Sequence, residues 1–399
     1  MLSVIIYKTK YIHKRVSKMS AFTYNFPNSI TFGWGEATNI SKHVSRLGEE
    51  KTLIVTDGGV KKAGIIDKIT NSLEQAGIQY TVFDDVQPNP TEKNVYDGVA
   101  RYREENCGSI LAVGGGSPID AAKGILVMAR HPGTLRNFYR GESDYIPITG
   151  NVPPFIAVPT TSGTGSEVSR GAIITDETNR KRSIGSRHIL PKSVVLDPQL
   201  TETMPPRLTA YTGLDALSHS VEAIAVDIYA PMADAFAREG LRLISESLVK
   251  AYEDGSERKP RMDMMYASTL GALAFHKGLG VIHSLAHQLS TQCDIPHGAA
   301  CGILTPHAIR FNLKEPSTNH AYREVARVFK GRDADAEDAP AAIEELIQAL
   351  DVPAALGEWG VTEADIEVMA PNAMLDHCHP RNPRKCSEED MKALYESAM

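Results

Sequence analysis

A proline pair, Pro205-Pro206, separates two sequence textures, and this break constrains the fold more than any other feature of the chain. Upstream, from Lys51 to Asp197, short β-branched runs alternate with helical patterns, as expected for a parallel sheet wrapped by helices. Thr52 to Thr56 reads as a buried strand, Val60 to Gln75 as one amphipathic helix closed by Gly77, and Tyr80 to Phe83 as the next strand. Thr91 caps the following helix, Ser109 to Val113 is a third strand, and Pro118 opens another helix. This is a βαβαβ unit, and Phe155 to Val158, Ala172 to Thr175 and Val194 to Leu196 extend its sheet or add a hairpin. Downstream, Leu208 to Ala225, Met232 to Ala251 and Arg261 to Phe275 carry helical spacing with no convincing strand between them. The expected fold class is α/β followed by all-α: an α/β domain over 19–205, a helical domain over 206–399, and a ligand cleft between them.

The length of 399 residues is enough for two such cores. A hydrophobic fraction of 42% with 23% charged residues excludes collagen-like, disordered and disulfide-scaffold classes. A net charge of -7 leaves no excess of cations to displace phosphate counterions, so neither nucleic acid nor a membrane surface is an expected partner, and small molecules are. Cys107, Cys293, Cys301, Cys378 and Cys386 are odd in number and scattered, which suggests reduced thiols and a cytoplasmic home. No apolar run approaches the roughly 20 residues needed to span a bilayer. Residues 1–18 carry Lys8, Lys10, Lys14, Arg15 and Lys18 without an acid, a composition shared by organelle presequences. The competing reading makes Met19 the start and this basic extension an upstream segment with no role in the fold.

Three motifs carry chemistry. Gly114-Gly-Gly-Ser-Pro-Ile-Asp120 lies between a strand and a helix, where backbone amides and a helix N-terminus can face a pyrophosphate; a plain strand-to-helix turn fits three glycines equally well. Asp57 ends the first strand, where a carboxylate can bond a ribose hydroxyl and repel the extra phosphate of NADP, or simply be a solvated turn residue. Pro159-Thr-Thr-Ser-Gly-Thr-Gly-Ser-Glu167 packs five hydroxyls around two glycines, and its serines lack the flanking glycines of a nucleophile elbow. The sharpest signal is histidine spacing: Asp215 and His219 share one helical face, His283 and His287 repeat that interval, and His297 follows in Ile-Pro-His-Gly. A single histidine in such a helix is more often core than ligand. Five of the 13 histidines fall between His276 and His307, however, and one carboxylate with three imidazoles suits a divalent ion such as iron or zinc. His276 and His307 read as structural, because nothing in the sequence pairs with them.

Together with Gly-Leu-Asp-Ala-Leu-Ser-His-Ser-Val-Glu222, His-Ser-Leu-Ala-His287 and the Asn-Pro-Arg segment at Asn382, these motifs resemble the iron-containing (group III) alcohol dehydrogenases from about Phe22 to Met399. The resemblance implies a Rossmann-like dinucleotide-binding domain followed by a helical domain, a plan shared with dehydroquinate synthase. It also implies reversible hydride transfer between NAD(P)H and an aldehyde or primary alcohol, in a homodimer or higher homo-oligomer. Carried over by position, Asp215, His219, His283 and His297 match the metal ligands, and His287 matches the histidine beside nicotinamide and substrate. Gly115, Gly116 and Ser117 match the pyrophosphate contacts; Thr160, Thr161, Thr164 and Ser169 lie along the cofactor. Asp57 matches the position favouring NAD over NADP, and Asn89 borders the cleft. The implied cofactors are Fe2+, with Zn2+ or another divalent ion as the alternative, and NAD.

Two departures stand out. Arg182, with Lys181 before it, falls where many relatives have a cofactor-contacting lysine, and Gly171 replaces a polar side chain in the substrate pocket, which enlarges it. Arg170, Arg182, Arg187 and Lys192 suit either an acidic aldehyde or a solvated basic face. In the implied chemistry the metal is a Lewis acid on the substrate oxygen and His287 is a proton relay one helical turn from a ligand. Rival readings are a glycerol dehydrogenase-like or dehydroquinate synthase-like metal and NAD enzyme, whose metal shells lack the counterpart of His219, and a non-catalytic metal or nucleotide binder.

Overall fold

The computed structural model describes residues 22–27 and 29–399; the basic extension 1–18 and the alternative start Met19 lie outside the described residues. Eight strands are present among them: β1 (Ile30–Phe32), β2 (Lys51–Val55), β3 (Gln79–Phe83), β4 (Ser109–Gly114), β5 (Phe155–Pro159), β6 (Gly171–Thr175), β7 (Lys181–Gly185) and β8 (Ser193–Leu196). Six form a wholly parallel sheet in the order β1-β8-β5-β4-β2-β3. Helices cover both faces of such a sheet, so its central strands are apolar throughout, and every residue of β4 and β5 is buried. That is why these strands are legible as unbroken apolar runs.

The helices of this half are α1 (Ile40–Ser45), α2 (Gly58–Lys62), α3 (Ile65–Gln75), α4 (Glu92–Glu104) and α5 (Gly116–Arg130). Three sequence readings change. The single helix expected over Val60 to Gln75 is two, α2 and α3, because Gly64 adopts a left-handed φ of 71° and ends the first. Ala172 to Thr175 belongs to the hairpin rather than the sheet: β6 pairs antiparallel with β7, whose sequence Lys-Arg-Ser-Ile-Gly has no strand-like apolar run. The edge strand β1, partly exposed, also escaped the pattern. It is tied down by the buried carboxylate of Asp197, which accepts from the amides of Gly35, Ala37 and Gln199 at 2.8, 2.9 and 3.0 Å.

The chain turns helical at Pro206. There follow α6 (Pro206–Ala225), α7 (Pro231–Glu253), α8 (Arg258–Ala274), α9 (Val281–Gln292), α10 (His297–Leu313), α11 (Asn319–Lys330), α12 (Ala339–Ala349), α13 (Glu363–Met374) and α14 (Glu388–Ser397). Helix α6 is the axis of this half: it packs against α7, α8 and α10 and is buried almost continuously from Gly213 to Ala225. Such burial explains why its polar residues, Asp215, His219 and Glu222, need partners inside the protein.

Strand order positions the site. The chain leaves β2 towards β3 on one side and leaves β4 towards β5 on the other, so the connections diverge and open a crevice at the carboxyl ends of β2 and β4. Asp57 stands at one lip of that crevice and Gly115 to Ser117 at the other.

Candidate metal and cofactor site

On the α/β side, β4 runs directly into α5, with Gly115 as its N-cap and Gly116 and Ser117 in the first turn. The first amides of this 15-residue helix have no intrahelical acceptor, which makes its end a receptor for anionic oxygen. The amide of Thr160 bonds to the Gly114 carbonyl at 3.0 Å, bringing the hydroxyl-rich loop alongside. Gly116, Ser117, Thr164, Ser169 and Asn89 line a cavity of about 750 Å³, whereas Gly115, Thr160 and Thr161 sit outside its lining. Asp57 is also outside it: its carboxylate caps α2 by accepting from Val60 N at 2.9 Å.

Buried Lys123, on α5, shapes the cavity wall and was not singled out from sequence. Its ammonium donates to the carbonyls of Ser166, Ser169 and Gly171 at 2.6, 2.9 and 2.6 Å. Burial nevertheless pulls its pKa down to about 8, with Asp120 and Glu167 opposing the shift. Asp120 receives the amide of Ile173 at 2.8 Å and the Ser166 hydroxyl, fixing the same loop from its other side. A lysine inside Ile-Asp-Ala-Ala-Lys-Gly-Ile-Leu-Val was a visible signal, since an ammonium in an apolar helix must find acceptors.

The hairpin divides its two cations between its faces. Alternation along β7 turns Lys181 and Ser183 to the main cavity, while Arg182 lies outside that lining, ion-paired with Glu142 and with Asp176 at 3.6 Å and stacked on Tyr139. Lys181, not Arg182, is therefore the cation of this strand in the main cavity. Gly171 does line it, and a Cβ there would meet only ordinary contacts at 3.6 Å.

On the helical side, three helices converge. Asp215 Oδ1 lies 3.5 Å from His219 Nε2, 3.7 Å from His283 Nε2 and 3.6 Å from His297 Nε2. Neither Asp215 Oδ1 nor His283 Nε2 has a hydrogen-bond partner, although both are buried. Four donors bound at about 2.1 Å around one tetrahedral ion would stand roughly 3.4 Å apart, so the carboxylate-to-imidazole separations fit a shared cation. The three imidazoles outweigh burial and hold the Asp215 carboxyl well below its usual range. Burial opposes protonation of His283, yet Glu222 and Asp215 together hold it up at about 9, whereas burial takes His219 down to about 4. The cluster thus draws positive charge to itself. Cys301, one turn beyond His297, brings Sγ within 4.8 Å of the Asp215, His283 and His297 donor atoms, but burial pushes its thiol well up, away from a thiolate.

Close approach of α10 to α6 depends on Gly298, where any Cβ would lie 1.8 Å from the Tyr211 carbonyl oxygen. Glu222, on the face of α6 shared with Asp215 and His219, has two tasks. One oxygen takes the amide of Ile282 at 2.7 Å, capping α9, and the other holds His283 Nδ1 at 2.6 Å, directing Nε2 to Asp215. Its spacing after His219 was a signal that a role could have been drawn from. Asp376 had none: it comes from beyond α13 to hold His287 Nδ1 at 2.8 Å. His287 lines the cavity, its ring 5.3 Å from that of His297. His276, read as structural, also lines it, with both ring nitrogens unpartnered, while His307 bonds Ser397 away from the site.

Known proteins share this architecture. The family model for iron-containing alcohol dehydrogenase matches residues 27–198, and the C-terminal model of the Fe-containing alcohol dehydrogenase family matches residues 209–399. The 4-hydroxybutyrate dehydrogenase of Cupriavidus necator is 39% identical over 386 residues, covering 95% of this chain and 100% of that one. The 1,3-propanediol dehydrogenase of Klebsiella pneumoniae is 40% identical, covering 94% and 98%. A crystal structure of a 1,3-propanediol oxidoreductase superposes with a TM-score of 0.89 at 39% identity, covering 95% and 100%. The chain belongs to the iron-containing alcohol dehydrogenase family. It is an oxidoreductase acting on CH–OH groups, an alcohol dehydrogenase or aldehyde reductase linked to NAD(P). No helix among the described residues is long and apolar enough to cross a membrane.

Replacing Lys123 with methionine should strand three carbonyl oxygens and loosen the cavity wall beside Gly171. The expected result is a loss of about 3 kcal/mol or more in denaturant unfolding, together with a raised KM for the nicotinamide cofactor. An unchanged KM would mean that Lys123 supports the fold without shaping the site.

Proposed function

We propose that the chain transfers hydride reversibly between NAD(H) and a primary alcohol or aldehyde, using Fe2+ held by Asp215, His219, His283 and His297. The observation that carries the metal reading is the buried Asp215 oxygen, surrounded at 3.5 to 3.7 Å by three imidazole nitrogens and given no hydrogen bond. One carboxylate with three imidazoles suits Fe2+ and also Zn2+, and the neutral Cys301 thiol offers no thiolate to favour the softer ion. The bound groups supply Lewis-acid polarisation of the substrate oxygen and the hydride acceptor or donor.

The chain's own residues do the rest. The N-terminus of α5, with Gly115, Gly116 and Ser117, receives the pyrophosphate, and Thr160, Thr161, Thr164 and Ser169 flank the cofactor. Asn89, held in a left-handed conformation with φ of 54°, borders the cleft where the Pro90 carbonyl bonds to the amide of Thr175. Asp57 favours NAD, because its carboxylate at the end of β2 would repel a 2′-phosphate. His287 takes and returns the substrate proton at Nε2, and Asp376 on Nδ1 fixes the ring. The buried walls around the ligand histidines exclude water from this exchange.

Ligand and relay separate by substitution. His297→Ala should lose metal and turnover together, whereas His287→Ala should retain metal and show a slower, differently pH-dependent rate. Metal analysis and rate-against-pH profiles decide between them, and a metal-free His287 variant beside a fully active His297 variant would reverse the two assignments. For cofactor choice, Asp57→Asn is cleaner than removal, because asparagine keeps the cap on α2 and deletes only the charge. The ratio of kcat/KM for NADPH over NADH should rise about tenfold, the scale of one lost charge contact of roughly 1.4 kcal/mol; equal use of both cofactors by the unmodified enzyme contradicts the NAD assignment.

A further inference from the structure

Three arginines, Arg140, Arg170 and Arg381, line the cavity. None has a carboxylate within 4.0 Å among the described residues, unlike Arg182 nearby, which is ion-paired with Glu142. Two of them, Arg140 and Arg170, are also close to each other. Burial lowers the Arg140 guanidinium and neighbouring Arg170 lowers it further.

Backbone features hold these groups in place. Arg140 lies across Gly185, where a Cβ would stand 1.9 Å from its Nη2, and the stem of Arg381 lies on Gly278, where a Cβ would stand 2.7 Å from its Cγ. The Arg140 amide is bonded to the Ser183 carbonyl at 2.9 Å, and the Arg170 carbonyl accepts from Ser186 at 3.0 Å, so both are tied to the backbone of the β6–β7 hairpin or its flanks. Their electrostatic neighbours are His377 and Cys378 for Arg140 and His276 for Arg170, all lining residues of the helical side. The pyrophosphate receptor at Gly116 and Ser117 is a separate element, the N-terminus of α5.

Unpaired cations facing a common cavity raise the local concentration of anions and favour a ligand whose charge completes them. A guanidinium offers two parallel N–H groups, matched to the two oxygens of a carboxylate. We infer that Arg140, Arg170 and Arg381 form an anion subsite that selects aldehydes and alcohols carrying a carboxylate at the end remote from the reacting carbon. This rests on the alcohol dehydrogenase reading: the hydride still passes between nicotinamide and the carbon bearing oxygen, and the carboxylate is unchanged by the reaction. Gly171, in the same cavity lining, leaves room for the chain between the two ends.

The test compares ω-oxoalkanoates of three to five carbons with n-alkanals of equal length, using NADH and the metal-loaded enzyme. At the best chain length, kcat/KM for the acid should exceed that for the alkanal at least tenfold, through KM, and the advantage should shrink as salt is raised. In the Arg140→Gln, Arg170→Gln double variant this ratio should fall at least tenfold while the KM for NADH moves less than threefold. Succinate should inhibit the unmodified enzyme competitively with the aldehyde, a result that does not depend on the variant folding. Equal use of acid and alkanal by the unmodified enzyme overturns the inference, as does a KM for NADH that rises in step with that for the acid, which would assign the cations to the cofactor. Absence of turnover with every aldehyde and alcohol would instead remove the dehydrogenase reading on which it rests.

Discussion

Asp215 Oδ1 meets three imidazole nitrogens deep in a helical bundle and has no hydrogen-bond donor of its own. Removing a carboxylate from water costs several kcal/mol even after relaxation, roughly, and is tolerated only where positive charge stands against it. Glu222 adds a second buried carboxylate one side chain away. Between them they hold His283 up at about 9 although burial opposes this. Helices α6, α9 and α10 can therefore pack as they do only around a positive charge. Much of the local sequence follows: Gly298 to bring α10 near, and Glu222 to cap α9 while turning His283.

One segment of the α/β half is tied to both halves beside this centre. Residues 164–171 carry cavity-lining Thr164, Ser166, Ser169 and Gly171, and they are held from within their own half by Lys123 and Asp120. Thr269 of α8 donates to Glu167 at 3.1 Å, tying the segment to the helical half as well. A buried ammonium thus helps fix the glycine-rich end of α5 relative to the aspartate–histidine cluster on α6, α9 and α10. Catalytic alignment across two halves needs such a fixed join, because a displacement of about 1 Å can cost two orders of magnitude in rate.

The fold was legible where burial is simple. Central parallel strands have both faces covered, so β2, β4 and β5 are written as apolar runs, and α6 to α8 as long apolar periodicities. It was illegible where polar residues form structure through distant pairing: β7 is a strand because β6 pairs with it, and α2 ends at a glycine whose conformation no periodicity announces. The same division holds for the site. Asp215, His219, His283 and His287 were visible as helical spacings, and family resemblance added their roles. Asp376 lies 89 residues from the histidine it orients, so only folding discloses it. The choice between Lys181 and Arg182 turned on strand alternation, which requires knowing that a strand is there.

The central claim is that one divalent ion sits against Asp215. Anomalous diffraction at the iron edge, on crystals of protein purified without added chelator, tests it most directly. The account expects one strong peak within about 2.2 Å of Asp215 Oδ1 and of the Nε2 atoms of His219, His283 and His297. A peak held instead by His287, Asp376 and Cys378, the other cluster of potential ligands among the described residues, or density showing Asp215 bonded only to a protonated histidine at full metal supply, would contradict it.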